Sequence, residues 1–242
     1  MKLILVRHPE TEANVQHIIY GRLDSHYSER GFRTAAQTAE ILKEKKIDKV
    51  YTSPLWRASW LAEKIAEDHG LTVTAKGGEV LSDSIAKEGE IIPDVVRDDR
   101  LMELNFGLFE GKTNAEAKEI YGDGFSKFWS DLANFTAPEG ESWTDVQNRV
   151  VEFMKEVLAP EIEGQTEGSW GWSPLTMRRP GEACSDTICI VAHALVIRAA
   201  MAWFLKMPLN DSWGIEIRTG GYIEMIFDSE RPRMFGLAAP TV

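Results

Sequence analysis

The sequence predicts an α/β fold, with a mainly parallel central sheet flanked by helices. Three observations carry that expectation. The chain opens on an aliphatic run, Lys2 to Val6, that is too short for a typical helix. Strand-like and helix-like segments then alternate, the βαβ rhythm of a parallel sheet. Late in the chain a second aliphatic run, Ile188 to Ala192, leads straight into an apolar stretch reaching about Leu205.

Taken in order, Lys2 to Val6 reads as a strand buried on both faces. It runs at once into Arg7, His8, Pro9, Glu10 and Thr11. Ligands in open α/β sheets collect at the carboxyl edges of strands, and a guanidinium beside an imidazole suits an oxyanion there. Pro9 pushes His8 towards an extended backbone. An ordinary solvated strand end accounts for the pair equally well. Residues 17–31 are rich in turn formers and polar groups and read as a loop. Ser28 can cap a helix from about Glu29 to Lys45. Lys49 to Thr52 is a short strand, after which Pro54 opens a second helix that ends before Gly70. Thr72, Val73 and Thr74 make Leu71 to Ala75 a third strand. Residues 77–99 are polar, acidic and unplaced. Helices follow at about 113–121, 124–134 and 142–158, with Ser142 and Asp145 at capping-box spacing. Residues 159–186 hold Pro, Gly and Trp without periodicity and read as a long loop or flap. The run from Ile215 to Asp228 reads as two strands around Gly220-Gly221.

The 242 residues admit one large α/β domain or two small ones, and 43% hydrophobic content with 10% aromatic suffices for a sizeable core. A formal net charge of −11 argues against nucleic acid or an anionic membrane as partner. It also makes a local cluster of arginines more telling. No apolar run approaches the length of a membrane span, and the amino terminus begins directly with a strand. Cys184 and Cys189 lie five apart without nearby His or Cys, which supports neither a metal site nor a structural disulfide. A reducing cytoplasm is the simplest setting, with no metal and no cofactor expected.

LVRHPET with Asn14 resembles the opening signature of the histidine phosphatase superfamily, the phosphoglycerate mutase-like proteins. YTSPLWRA at 51–58, LMELNFGLFEGKT at 101–113 and IVAHA at 190–194 follow in the family's order, and PEGESWTDVQNR at 138–149 supports them. The resemblance implies a three-layer sandwich formed by a single domain over 1–242, with insertions near 77–99 and 159–186. It also implies that His8 attacks a phosphoryl group and carries it as phosphohistidine. A neutral imidazole is nucleophilic at one nitrogen while a hydrogen bond at the other fixes the tautomer.

Phosphoryl transfer spreads charge over equatorial oxygens, so positioning and electrostatic stabilisation dominate. Arg7, Arg57, His193 and the amide of Asn14 are the groups expected to supply them, with Tyr20, Gly21 and Ala194 beside the phosphate. Glu103 matches the family's acid–base glutamate, against Glu10 and Glu110 as rivals. One carboxylic acid can protonate the leaving alkoxide and then deprotonate water. Pro9 and Ala194 stand where the family usually has Gly, and Tyr20 where phosphatase members often have Gln or Thr. ELNFGLFEGKT followed by PEGES resembles the phosphatase branch, including α-ribazole phosphatases. Asn105 and Phe106 replace part of the mutases' basic run.

The expected activity is therefore hydrolysis of a small phosphorylated metabolite. A cofactor-dependent phosphoglycerate mutase is the alternative, and a non-catalytic phospho-ligand or protein-binding module the alternative of another class. Residues 159–186, with Trp170, Trp172, Arg178 and Arg179, fit a lid, a homodimer contact or a surface loop alike.

Overall fold

The computed structural model describes residues 1–71, 95–158, 187–227 and 232–240. Its centre is a six-stranded sheet in the order β3-β2-β4-β1-β5-β6. The strands are β1 (Lys2–Arg7), β2 (Lys49–Thr52), β3 (Val95–Arg97), β4 (Thr187–Ala192), β5 (Tyr222–Phe227) and β6 (Pro232–Ala238). β1 to β4 run parallel, while β5 is antiparallel to both β1 and β6.

The aliphatic run of β1 is buried because it lies between β4 and β5 and is covered on both faces. Leu3 and Leu5 point into one core, with α6 (Trp143–Leu158) and α7 (Ala194–Leu205). Ile4 and Val6 point into the other, with α2 (Glu29–Lys43) and α3 (Trp56–Asp68). Alternation of period two along one strand thus feeds two apolar cores, giving three layers. α7 is apolar on almost every side because it is buried against β1 and α6.

Short-range signals set the helix starts. Ser28 Oγ accepts from Gly31 N–H at 3.0 Å to cap α2. Ser142 and Asp145 exchange the reciprocal bonds of a capping box at the start of α6 (2.9 and 3.2 Å). Thr113 and Glu116 do the same for α4 (Asn114–Tyr121). α5 (Asp123–Ser130) stops four residues short of its expected end.

Three expectations need correction. α3 begins at Trp56 rather than on Pro54, and its first N–H groups are capped from outside the helix by the Asp24 carboxylate. The four-residue helix α1 (Glu12–Val15) was not foreseen; a Thr11–Asn14 capping box holds it. The hairpin pairs β5 with β6, so Ile215 to Arg218 is not a strand. Gly220 at φ +71° turns the chain there, and its N–H donates to the carbonyls of Arg7 and His8 (3.1 Å each). The acidic 77–99 stretch yields β3 at its end. Of the strand expected at Leu71 to Ala75, all but Leu71 lies outside the described residues, as does the 159–186 segment. Among the described residues no helix is long and apolar enough to cross a membrane.

Candidate active site

β1 and β4 are parallel neighbours with Arg7 opposite Ala192, so His8 and His193 emerge side by side at the carboxyl edge. The chain leaves these two strands in opposite directions: β1 leads through α2 to β2, and β4 leads through α7 to β5. Such a divergence opens a crevice above the sheet, the usual place for a ligand. A cavity of about 310 Å³ lies there.

His8 is 3% exposed and fixed by its backbone, N–H to the Ala192 carbonyl at 3.0 Å. Its Nδ1 lies 2.7 Å from the Pro9 carbonyl. A carbonyl only accepts, so Nδ1 carries the proton and Nε2 keeps its lone pair. Burial, then the Arg57 and Arg7 charges, hold the imidazole well below its ordinary pKa, so the ring is neutral at pH 7.

His193, fully buried, sits with its ring centre 5.2 Å from that of His8. Among the described residues neither of its ring nitrogens has a protein partner. Burial, then Arg57 and His8, keep it neutral as well. Buried polar atoms are normally paired, so two orphaned ring nitrogens beside a cavity mark a place for a ligand. The Nε atoms of Arg7 and Arg57 are also buried and, among the described residues, unpartnered. Arg7 is held by Nη1 donating to Ile217 O at 2.6 Å. Arg57 donates to Gly21 O at 2.6 Å and Leu23 O at 2.9 Å, pairs with Asp24 at 3.3 Å, and stacks 4.7 Å from the Tyr20 ring centre.

Asn14 Oδ1 accepts from Thr11 N–H at 3.1 Å and Tyr20 O–H at 2.8 Å, so its Nδ2 is the end left for a ligand. Tyr20 O–H also meets Thr11 Oγ1 at 2.7 Å. Glu103 is 7% exposed and accepts from Leu104 N–H at 2.9 Å and, more weakly, from Leu195 N–H at 3.4 Å in the first turn of α7. Its rivals are engaged elsewhere. Glu10 binds Ser28 Oγ at 2.7 Å, and Glu110 ties the backbone N–H groups of Arg22, Leu23 and Phe106.

Of the expected residues, Arg7, His8, Asn14, Tyr20, Arg57, Glu103 and Ala194 line the cavity. His193 is not among the lining residues; its ring centre lies 5.2 Å from that of His8, which is. Gly21 does not line it: its carbonyl anchors Arg57, and a side chain there would collide with the Leu104 carbonyl. Sequence reasoning missed Phe106, Trp129, Arg198 and Trp213, which form the outer wall. Trp129, Arg198 and Trp213 lie outside the quoted motifs, and Phe106, although inside LMELNFGLFEGKT, shows its place in the wall only after folding. Among the described residues no group of three or more His, Cys, Asp or Glu is placed to hold a metal ion.

Two parallel strand tips, a neutral buried imidazole and an arginine cradle with unused donors define an oxyanion-handling site on a three-layer α/β fold. The model of the histidine phosphatase superfamily (branch 1) matches residues 3–78, 83–166 and 174–239. The chain belongs to this superfamily and is a phosphatase by class. It is 27% identical over 231 residues to phosphoserine phosphatase 1 of Hydrogenobacter thermophilus, covering 96% of this chain and 89% of that one. It is 28% identical over 240 residues to the 2,3-bisphosphoglycerate-dependent phosphoglycerate mutase of Thermoplasma acidophilum, covering 98% and 91%. The solved structure of Bacillus stearothermophilus YhfR superposes with a TM-score of 0.71 at 25% identity, over 96% of this chain and 94% of that one.

Proposed function

We propose that this chain, acting as one domain, hydrolyses small phosphomonoesters through a phosphohistidine at His8. The observation that carries the reading is the neutral His8 ring, with Nε2 free and unpartnered nitrogens of Arg7, Arg57 and His193 around it. In the first step Nε2 forms a bond to phosphorus as the ester P–O bond breaks. Arg7, Arg57, His193 and the Asn14 amide stabilise the charge on the equatorial oxygens. Glu103 protonates the leaving alkoxide. In the second step Glu103 takes a proton from water, the oxygen attacks phosphorus, the P–N bond breaks and inorganic phosphate leaves. Burial of these groups strengthens each electrostatic contact.

Hydrolysis is favoured over mutase action by the outer cavity. Beyond the phosphate cradle it is walled by Ile18, Ile19, Phe106, Trp129 and Trp213, with Arg198 the further arginine among the described lining residues. That wall suits an organic group better than a second phosphate.

Turnover of p-nitrophenyl phosphate and 3-phosphoglycerate, with and without bisphosphoglycerate, tests the reading. Hydrolysis should dominate, a 32P label should be trapped on His8 as an acid-labile, base-stable adduct, and Glu103→Gln should lower kcat by about 10²- to 10⁴-fold while phosphate still binds. Isomerisation exceeding hydrolysis, or wild-type rates in Glu103→Gln, would overturn it.

A further inference from the structure

We infer that Arg198, set against the Trp129–Trp213 wall, is a second recognition subsite that selects phosphomonoesters whose organic part carries a carboxylate. The inference rests on the phosphatase reading, because the subsite is defined relative to a phosphate held at His8.

Arg198 lies four residues after Ala194 on α7, on the helix face that meets the cavity. Its Nε donates to the Ile215 carbonyl at 3.0 Å, and its guanidinium carbon stacks 4.8 Å from the Trp213 ring centre. These two contacts fix the plane of the fork. Among the described residues, its terminal nitrogens have no protein partner. Other arginines near this pocket are used differently. Arg57 places its terminal nitrogens on the carbonyls of Gly21 and Leu23, and Arg149 places its own on those of Arg100 and Glu103. A guanidinium that is oriented, half-buried and still has free terminal donors is prepared for an acceptor from outside the chain.

The aromatic neighbours support the same conclusion. Trp213 is 50% exposed and Trp129 37%, although both belong to residue types that usually bury most of their surface. They pack edge to face, ring centres 6.0 Å apart, at the cavity wall, and Phe106 continues the wall 6.2 Å from Trp129. Such a surface takes the non-phosphate part of a substrate.

Charge and geometry select carboxylate as the acceptor. Arg7 and Arg57 already face the phosphate, so Arg198 adds a single positive charge, and its planar fork offers two parallel N–H groups to one carboxylate. A second phosphate would place another dianion opposite that single charge, with the Glu103 carboxylate lining the same cavity.

The test compares 3-phosphoglycerate with glycerol 3-phosphate, which lacks the carboxylate, and with 2,3-bisphosphoglycerate. kcat/KM is read for hydrolysis by the full chain. Kd is read by calorimetry on the His8→Ala variant, so that a failure of turnover does not hide a result. The wild-type chain should favour 3-phosphoglycerate over glycerol 3-phosphate by roughly tenfold or more, chiefly in KM. Arg198→Met should bring that ratio close to one, and Arg198→Lys should restore part of it. A wild-type ratio near one, or a ratio that survives Arg198→Met, overturns the subsite while leaving p-nitrophenyl phosphate hydrolysis as evidence for the phosphatase. A larger Arg198-dependent gain for the bisphosphate overturns the choice of carboxylate. Failure to hydrolyse any phosphomonoester sinks the phosphatase reading, and the Kd ratio then judges the subsite separately.

Discussion

Arg57 and Arg198 show two uses of one side chain. Arg57 is pinned by two carbonyls and Asp24, which leaves the inner edge of its guanidinium aimed at the cavity. Arg198 is pinned at Nε alone and keeps its tip available. Tyr20 works at one remove: its hydroxyl holds Asn14 Oδ1, which turns the Asn14 amide to the pocket. Tyr20→Phe should therefore lower kcat/KM about fivefold, the worth of one neutral hydrogen bond, with little loss of folding stability. Steady-state kinetics beside a urea unfolding curve checks this. At this scale the sequence disclosed His8, Arg7, Arg57, Glu103 and His193 because each sits in a local motif. Arg198, Trp129 and Trp213 were not legible: Arg198 and Trp213 meet through the docking of α7 on the 209–214 turn, and Trp129 joins them from α5, more than sixty residues earlier in the chain.

Between β1 and α2 the chain makes loops whose shape is set by close backbone approach. Gly21 brings its carbonyl to Arg57 and packs its bare Cα on the Leu104 carbonyl, next to Glu103. Gly21→Ala should cost about 1–3 kcal/mol, since the obstruction is rigid backbone, and should reduce turnover by separating Arg57 from Glu103. Chemical denaturation and an activity assay on the same preparation measure both. Strands and helices with strong local patterns were readable: β1, β2, β4, α2, α6 and α7 lie close to where aliphatic runs and caps place them. The run around Gly220 misled because alternation resembles a hairpin, whereas Ile217 is drawn aside to accept from Arg7. Helix α1 has four residues, too few for periodicity to register.

Across the whole molecule, the sheet delivers two buried histidines to the carboxyl edge of its central strands, beside the cavity. Both rings are held neutral by burial, with pKa values well below 6.5. The unfolded chain takes up a proton at each once pH falls below about 6.5, and the folded chain does not. Stability therefore declines on acidification from pH 6.5, by about 1.4 kcal/mol per pH unit for each histidine, until the folded pKa is reached. Urea midpoints between pH 7 and pH 5.5 should show this slope, and His193→Gln should remove the share of one ring. An unchanged slope in that variant would show that His193 titrates normally in the fold.

The Pro9 carbonyl has a further consequence. Because it occupies Nδ1 of His8 from the adjoining residue, a phosphoryl group received at this ring has a single nitrogen on which to settle. The regiochemistry of the proposed intermediate, the tele rather than the pros isomer, is thus written into the main chain beside the nucleophile and owes nothing to the identity of the substrate.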